Sequence, residues 1–359
     1  MNGGEQVIED GQGNLLTADA DALVNTVNTV GVMGKGIALQ FKRAHPDNYA
    51  AYRAAYERGE LRIGRILVFD TGRLGSGRYI LNFPTKRHWR SGSRLEDIRA
   101  GLDDLVRVVR DLQLGSVAVP AQGAGNGGLD WHDVRPLIEA AAERIPEVRV
   151  VVFPPAGAPP AEEMPVGTAR PDLTRGRATL LVAADRYLAQ ANTLERRTGV
   201  SELEIQKLAY FLQSLGVPLG LRFARGRYGP YAEALHHVLQ DMEGHQIVGY
   251  GDRSAPVLEL RPIQVTPDGL DEARGHLADD PAAQAAVETV LQLLDGFETP
   301  YSVELLATVH FAASHGEAAD DRALSERVAS WSLRKARLFT DEHVKVAAAR
   351  LRERALLAG

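Results

Sequence analysis

At 359 residues the chain is long enough for two domains with separate cores, and a net charge of −6 means that any nucleic-acid partner must be met by a local cationic patch rather than by the global field. It contains no cysteine, which excludes disulfides, thiolate catalysis and cysteine-ligated zinc and leaves any chemistry to oxygen and nitrogen groups. The start, Met1-Asn-Gly-Gly-Glu5, has no basic segment leading into an apolar one, and no apolar run reaches spanning length, so a cytoplasmic protein without a membrane partner is expected.

Apolar runs predict strands over 22–27, 65–69, 79–83, 117–119 and 149–153. Amphipathic periodicity predicts helices over 36–44, 46–58, 93–112 and 130–144. Strands alternating with helices place residues 1–155 in the α/β class, as a three-layer α/β/α domain with a mixed central sheet. Prolines 154, 155, 159, 160, 165 and 171 then interrupt every periodic pattern, and residues 156–175 read as an interdomain linker. Residues 176–359 read as a mainly helical second domain with a small β element. Its helices are expected over 178–197, 201–215, 230–242, 281–294, 301–313 and 341–357, with a strand over 257–265. Ser201 followed by Glu204 is a capping box that opens the second of these helices.

Two loops carry the chemistry. In Asn25-Thr-Val-Asn28 and the following Gly31, Gly34, Lys35 and Gly36, a strand gives way to a helix through amides and glycines. Glycine lets backbone N–H groups crowd an anion, and asparagine offers a donor and an acceptor to hydroxyls without adding charge. Pro120-Ala-Gln-Gly-Ala-Gly-Asn-Gly-Gly-Leu-Asp-Trp131 repeats the design about a hundred residues later. Two such loops suit a sugar diphosphate held from both sides by backbone amides. Gly123 to Gly128 also satisfies G-x-G-x-x-G, but it comes late in the chain and leaves the first loop unexplained, so a Rossmann site is set aside. The Gly31–Gly36 stretch lacks the spacing and hydroxyl of a P-loop, and no histidines stand at H-x-x-x-H spacing, so no metal is expected.

Charge is distributed unevenly. Lys86-Arg-His-Trp-Arg90, with Arg94 and Arg99, is a cationic cluster with one aromatic, which suits phosphate contact and base stacking; the alternative is a helix entry with a packed tryptophan. From Asp271 to Asp320 ten carboxylates face one base, Arg274. That stretch reads either as a solvated acidic face or as a docking surface for a basic partner, by imitation of nucleic acid.

The 22–28 strand, the Gly31–Gly36 loop, Asn82-Phe-Pro-Thr-Lys86 and the Gly123–Trp131 loop, in this order, resemble a macrodomain, and more narrowly the DNA ADP-ribosyl glycohydrolase antitoxins of the DarG family. The likeness spans residues 5–153. Gln206-Lys-Leu-Ala-Tyr-Phe-Leu212 and Gly226-Arg-Tyr-Gly-Pro-Tyr231 resemble the helical SocA-like (Panacea) domain of several antitoxins.

The resemblance implies an enzyme that removes ADP-ribose from bases of single-stranded DNA, typically thymidine, and restrains a DarT-like ADP-ribosyltransferase toxin; no cofactor is implied. An ADP-ribose reader without activity, or a hydrolase of another ADP-ribosyl conjugate, is the alternative. It further implies Asn14, beside Leu15, as the reader of adenine N6, and Asn25 and Asn28 by the distal ribose. Gly34, Lys35, Gly36 and Ile37 are implied along the pyrophosphate. Gln122, Gly123, Ala124 and Gly125 are implied as the start of the facing loop, continued by Asn126, Gly127 and Gly128. Lys86, after Thr85, is implied as the catalytic amine, acting as a nucleophile or as an acid. Arg87 and Arg90 are expected to depress its pKa by like charge, and Arg87, His88, Trp89 and Arg90 are candidate DNA contacts. Relatives that act on proteins carry an aspartate where Gly127 stands here; Asp130 is near, but its place before a helix suits a cap.

Overall fold

The computed structural model describes residues 8–193, 196–252, 261–315 and 320–357. They divide into two compact units at Ala169/Arg170, with Asp252 grouped in the first.

The first unit begins with β1 (Ile8–Asp10), too short and polar to show a periodic signal. It continues with β2 (Ala22–Asn28), α1 (Gly36–Ala44), α2 (Pro46–Glu57), β3 (Leu67–Asp70), β4 (Tyr79–Lys86), α3 (Leu95–Asp111), β5 (Ser116–Pro120), α4 (Trp131–Ala142) and β6 (Arg149–Phe153). The strands form one sheet in the order β1-β6-β5-β2-β4-β3. Every pairing is parallel except that of edge strand β3 with β4. Parallel strands covered on both faces read as unbroken apolar runs, which is why 117–119 and 149–153 were legible. Alternation along β2 sorts the layers: Ala22 and Val24 pack with α3 and α4 through Ile98, Leu102 and Ile138, while Leu23 packs with Phe41 of α1 on the other face. This is the expected three-layer mixed α/β/α fold. Helix α3 starts two residues later than its periodicity, because the Ser93 N–H donates to the Gly127 carbonyl (2.9 Å) instead of joining a helix.

The proline-rich stretch packs on this unit as far as Ala169. Ala161 and Met164 are buried, and the Gly167 N–H donates to the Arg43 carbonyl (2.8 Å). Proline removes donors without removing carbonyls, so such a segment can dock without forming a strand or helix.

The second unit contains α5 (Arg175–Ala191), α6 (Glu202–Ser214), the hairpin of β7 (Ala224–Gly226) and β8 (Gly229–Tyr231), and α7 (Glu233–Met242). After β9 (Ile247–Val248) and β10 (Gln264–Val265) come α8 (Pro267–His276), α9 (Pro281–Leu294), α10 (Pro300–Ser314), α11 (Asp321–Ala329), α12 (Leu333–Leu338) and α13 (Asp341–Glu353). The Ser201/Glu204 capping box forms. Three expectations are corrected. The 178–197 helix runs over 175–191, capped by the Thr174 side chain. The 230–242 helix begins at Glu233, because Gly229 to Tyr231 pair with β7. Of the 257–265 strand only Gln264–Val265 is a strand among the described residues, and 257–260 lie outside them. No described helix is long and apolar enough to cross a membrane.

Under the apolar core of this unit lies a buried ionic group. Glu304 of α10 accepts from the fully buried Lys335 and, at 2.5 Å, from Arg334. Lys207 of α6 donates to the Pro230 carbonyl at 2.8 Å. Burial draws the Lys207 amine down to about 7 and the Lys335 amine to about 8, with Glu304 opposing the shift in both.

The 271–320 acidic stretch is largely compensated within the unit. Arg170 holds Glu272 and Arg186 holds Glu288, both at 2.7 Å, Arg175 grips Asp280, and Glu304 is buried with its cations. Glu298 is buried and accepts from Gln190 (2.7 Å), and Asp320 caps α11. Glu317 lies outside the described residues.

Candidate active site

Parallel pairing brings the carboxyl ends of β1, β6, β5, β2 and β4 to one edge of the sheet. From β2 the chain leaves toward β4 on one side and later returns to β5 on the other, and at such a switch point the diverging loops open a crevice. The two amide-rich, glycine-rich loops leave β2 and β5 at this point.

The β2 loop is shaped by Asn28. Its carbonyl oxygen accepts from the Val30 and Val32 N–H groups (3.0 and 3.3 Å), its amide donates to the Val32 carbonyl (2.5 Å), and the Tyr52 hydroxyl donates to its backbone carbonyl (2.6 Å). Asn25 is fully buried, donating to Asn82 (2.9 Å), which in turn exchanges hydrogen bonds with Asn48. Both amides are therefore engaged in holding the loop, with the Asn25 oxygen left without a protein partner. Asn48, Tyr52 and Asn82 are supports that sequence reasoning missed. Asn82 lay inside a recognised motif, whereas Asn48 and Tyr52 carry only the periodicity of α2.

Gly34 and Lys35 are exposed, Ile37 is half-buried, and Gly36 has a left-handed φ of +61°. A methyl on Gly36 would stand 2.6 Å from the Asn126 amide of the opposite loop. The first turn of α1 carries no carboxylate and Lys35 gives no side-chain cap, so the helix's own side chains leave its terminal N–H groups uncovered. The Gly36 N–H donates to the Asp252 carbonyl (2.8 Å) and Gln40 to the Asp252 carboxylate (2.7 Å). Replacing Gly36 with alanine adds a strained φ and a collision with Asn126. Affinity for ADP-ribose, read by calorimetry, is expected to fall at least tenfold while the fold, read by circular dichroism, persists.

In the β5 loop, Gly123 and Gly128 are left-handed, at φ +73° and +78°. At Gly127 a methyl would meet the Gly123 carbonyl oxygen at 2.1 Å and Ser93 Oγ at 2.5 Å, which explains why no aspartate stands there. Gly125 and Asn126 are exposed to the cleft, and Ala124 is half-buried against the apolar core. Gln122 is fully buried with neither amide atom hydrogen-bonded by protein, and Ser93 Oγ is likewise unpartnered. Buried polar atoms of this kind mark a place where something polar is to be received. Ser93 was missed, since a lone serine before a helix reads as a cap. Asp130 does cap α4, accepting from the His132 N–H (2.9 Å).

Lys86 ends β4, directly after buried Thr85, and its amine donates to the Asn126 carbonyl, bridging toward the β5 loop. Its pKa is lowered, first by burial and then by the charge of Lys35. The expected cause is thereby corrected: Arg87 is held by a bidentate pair with Asp97 (2.6 and 2.9 Å), which offsets its charge, and the field on Lys86 comes from across the cleft. Trp89 is 48% exposed rather than packed at a helix entry. His88 stacks on one side of it (5.3 Å between rings), and the Arg90 guanidinium lies 4.4 Å from the indole centroid. The result is an aromatic-cationic platform a few residues from the amine.

Asn14 and Leu15 are buried before β2. The Asn14 carbonyl oxygen accepts from the Leu16 N–H (3.0 Å) and its amide donates to the Glu163 carbonyl (3.0 Å), so adenine would have to use the second lone pair of that oxygen. Half-buried Phe153, at the carboxyl end of β6, packs over Gly11, where a methyl would stand 2.6 Å from its ring. It offers a face for a base, and its membership of an apolar strand hid it in the sequence.

Two such loops leaving neighbouring parallel strands of a mixed sheet are the arrangement of a macrodomain, and a Macro domain family model matches residues 24–138. A DNA ADP-ribosyl glycohydrolase of Mycobacterium tuberculosis is 48% identical over 351 residues, 96% of this chain and 99% of that protein. The chain belongs to the DarG-type DNA ADP-ribosyl glycohydrolases. The solved macrodomain of M. tuberculosis DarG is 56% identical and covers 42% of this chain and 99% of that one, with a TM-score of 0.41. A Thermosipho africanus DNA ADP-ribosyl transferase–glycohydrolase fusion protein is 35% identical over 142 residues, 35% of this chain and 37% of that protein.

Proposed function

We propose that this protein removes ADP-ribose from modified bases, thymidine foremost, in single-stranded DNA, and that its second unit restrains a DarT-like ADP-ribosyltransferase. The carrying observation is the Lys86 amine, half-buried, facing Lys35 and tied to Asn126 of the β5 loop. Gly34 to Ile37 and Gly123 to Gly128 are given the diphosphate and ribose, Asn25 and Asn28 the shape of the ribose pocket, and Gln122 a polar contact from below. Asn14 and Leu15 are given the adenine, and Thr85 positions Lys86. Lys86 acts at the anomeric centre, as a neutral amine bonding to the anomeric carbon or as an ammonium protonating the base. In either case the glycosidic electron pair leaves with the base, which takes up a proton, and water supplies the hydroxyl of the freed ADP-ribose. Support for a transferase partner comes from the fused relative, in which transferase and glycohydrolase share a chain.

DNA is favoured over a small ADP-ribosyl conjugate by the Trp89 platform, which a small ester has no use for. The test is release of ADP-ribose from an ADP-ribosylated thymidine oligonucleotide. Wild type releases it; Trp89→Ala raises KM about 10-fold or more, as loss of one stacked base would, with kcat little changed. No release by wild type would sink the hydrolase reading, and an unchanged KM would sink the role given to Trp89.

A further inference from the structure

The compensated acidic stretch contrasts with a cationic face elsewhere in the second unit. Strands β7 and β8 pair in register, Ala224 with Tyr231 and Gly226 with Gly229, so that Arg227 and Tyr228 form the tip. The Trp331 indole N–H donates to the Gly226 carbonyl (2.9 Å), fixing the ring against the hairpin. The Arg225 guanidinium lies 4.7 Å from the Trp331 centroid, and those of Arg227 and Arg334 lie 5.4 and 4.8 Å from the Tyr228 centroid. Arg225 and Arg227 are exposed, and among the described residues no carboxylate lies within ion-pair distance of either; Arg334 shares its charge with Glu304. Beside them Leu333 is 82% exposed.

The guanidinium groups of Arg225 and Arg227, set over rings and without a carboxylate in ion-pair distance among the described residues, are placed to neutralise phosphates. Their outer faces, like the rings, accept unstacked bases. A basic protein partner is excluded by charge, whereas a single strand supplies both the anions and the flat surfaces. We propose that the β7–β8 hairpin with Trp331 is a second binding surface for single-stranded DNA, one that grips unmodified nucleotides. The choice of DNA rests on the function proposed above; the affinity for a single-stranded polyanion does not.

The test is fluorescence anisotropy of the full chain with an unmodified, labelled single-stranded oligonucleotide over a salt series. Arg225→Gln/Arg227→Gln is expected to weaken binding about tenfold at low salt and to shrink the slope of log K against log salt by about 1.4, about 0.7 per lost phosphate contact. Arg225→Lys/Arg227→Lys keeps the slope but still binds more weakly, because an ammonium does not stack as a guanidinium does. Release of ADP-ribose from a modified mononucleotide, too small to need the hairpin, stays at the wild-type rate in both variants. If wild type releases ADP-ribose from neither the mononucleotide nor the modified oligonucleotide, the hydrolase reading falls while the anisotropy result still decides this one. Unchanged affinity and slope would overturn the proposal. So would a Gln pair that binds DNA normally but no longer captures the transferase, which would make the hairpin a protein-docking surface.

Discussion

Lys86→Ala is expected to lower the rate of ADP-ribose release by about 10²- to 10⁴-fold, the usual worth of a positioned proton-transfer or nucleophilic group, while ADP-ribose still binds. Binding survives because the diphosphate is assigned to backbone donors of the two loops, and calorimetry on the variant checks it. Lys86→Arg is expected to be nearly as inactive, since a guanidinium neither loses its proton near neutrality nor fits the turn to the Asn126 carbonyl. The pH profile follows from the lowered pKa. Both causes of the shift, burial and the Lys35 charge, disfavour the ammonium, so the neutral amine gains population as pH rises through the lowered value. If the neutral amine acts, kcat/KM climbs through that range. Removing the facing charge with Lys35→Gln raises the Lys86 pKa and moves the climb to higher pH. A profile that instead falls across the same range assigns Lys86 the role of acid, donating to the departing base. Equal release by wild type and Lys86→Ala would remove Lys86 from the chemistry altogether.

Glu304→Gln is expected to cost the second unit about 3–5 kcal/mol, because it leaves buried Lys335 and Arg334 without their counter-charge. Denaturant unfolding of the full chain measures it, and restraint of the transferase is expected to fail with it. By contrast Asp280→Asn, which breaks an exposed pair and can still cap α9, is expected to leave the unfolding midpoint nearly unchanged. Converting Glu304→Leu together with Lys335→Met is expected to recover part of the loss, because the fully buried Lys335 charge goes with its partner, while Lys207 stays inside and Arg334 loses its carboxylate. The same region sets a pH dependence. The Lys207 amine titrates near 7 when folded and near 10.5 when unfolded, so between these values the unfolded chain binds the extra proton. Stability therefore rises with pH from about 7 toward 10 and is lower below 7. Lys207→Met, which has no proton to lose, reduces that rise to the part that Lys335, at about 8 when folded, still contributes.

How much of this was legible in the sequence varies by residue. Val117 to Val119 and the 149–153 run announce buried parallel strands, because the sheet is covered on both faces. Prolines 46 and 281 open helices where their missing N–H is harmless. Ser201 with Glu204 and Asp130 before Trp131 announce caps, since a cap is a bond between neighbours. The glycine loops are legible for the same reason: a left-handed turn or a close approach is a demand on one residue. β1 was not legible, because three residues hold no period, nor was the β7–β8 hairpin, whose strands are too short to compete with the helical pattern downstream.

The sequence by itself determined the layered α/β class of the first unit, the position of its two loops and the identity of the residues able to do chemistry, because these are local properties of backbone freedom, periodicity and side-chain type. Only the tertiary structure decided which charges act on which. It turned Arg87 toward Asp97 and gave Lys86 a facing Lys35, used Asn25 and Asn28 to hold a loop, buried polar atoms of Ser93 and Gln122 without a protein partner, and paired several carboxylates of an acidic stretch with arginines up to about a hundred residues away. Electrostatic partners and buried hydrogen bonds depend on distances in space. Those distances are set by how the elements pack and leave no periodic trace along the chain.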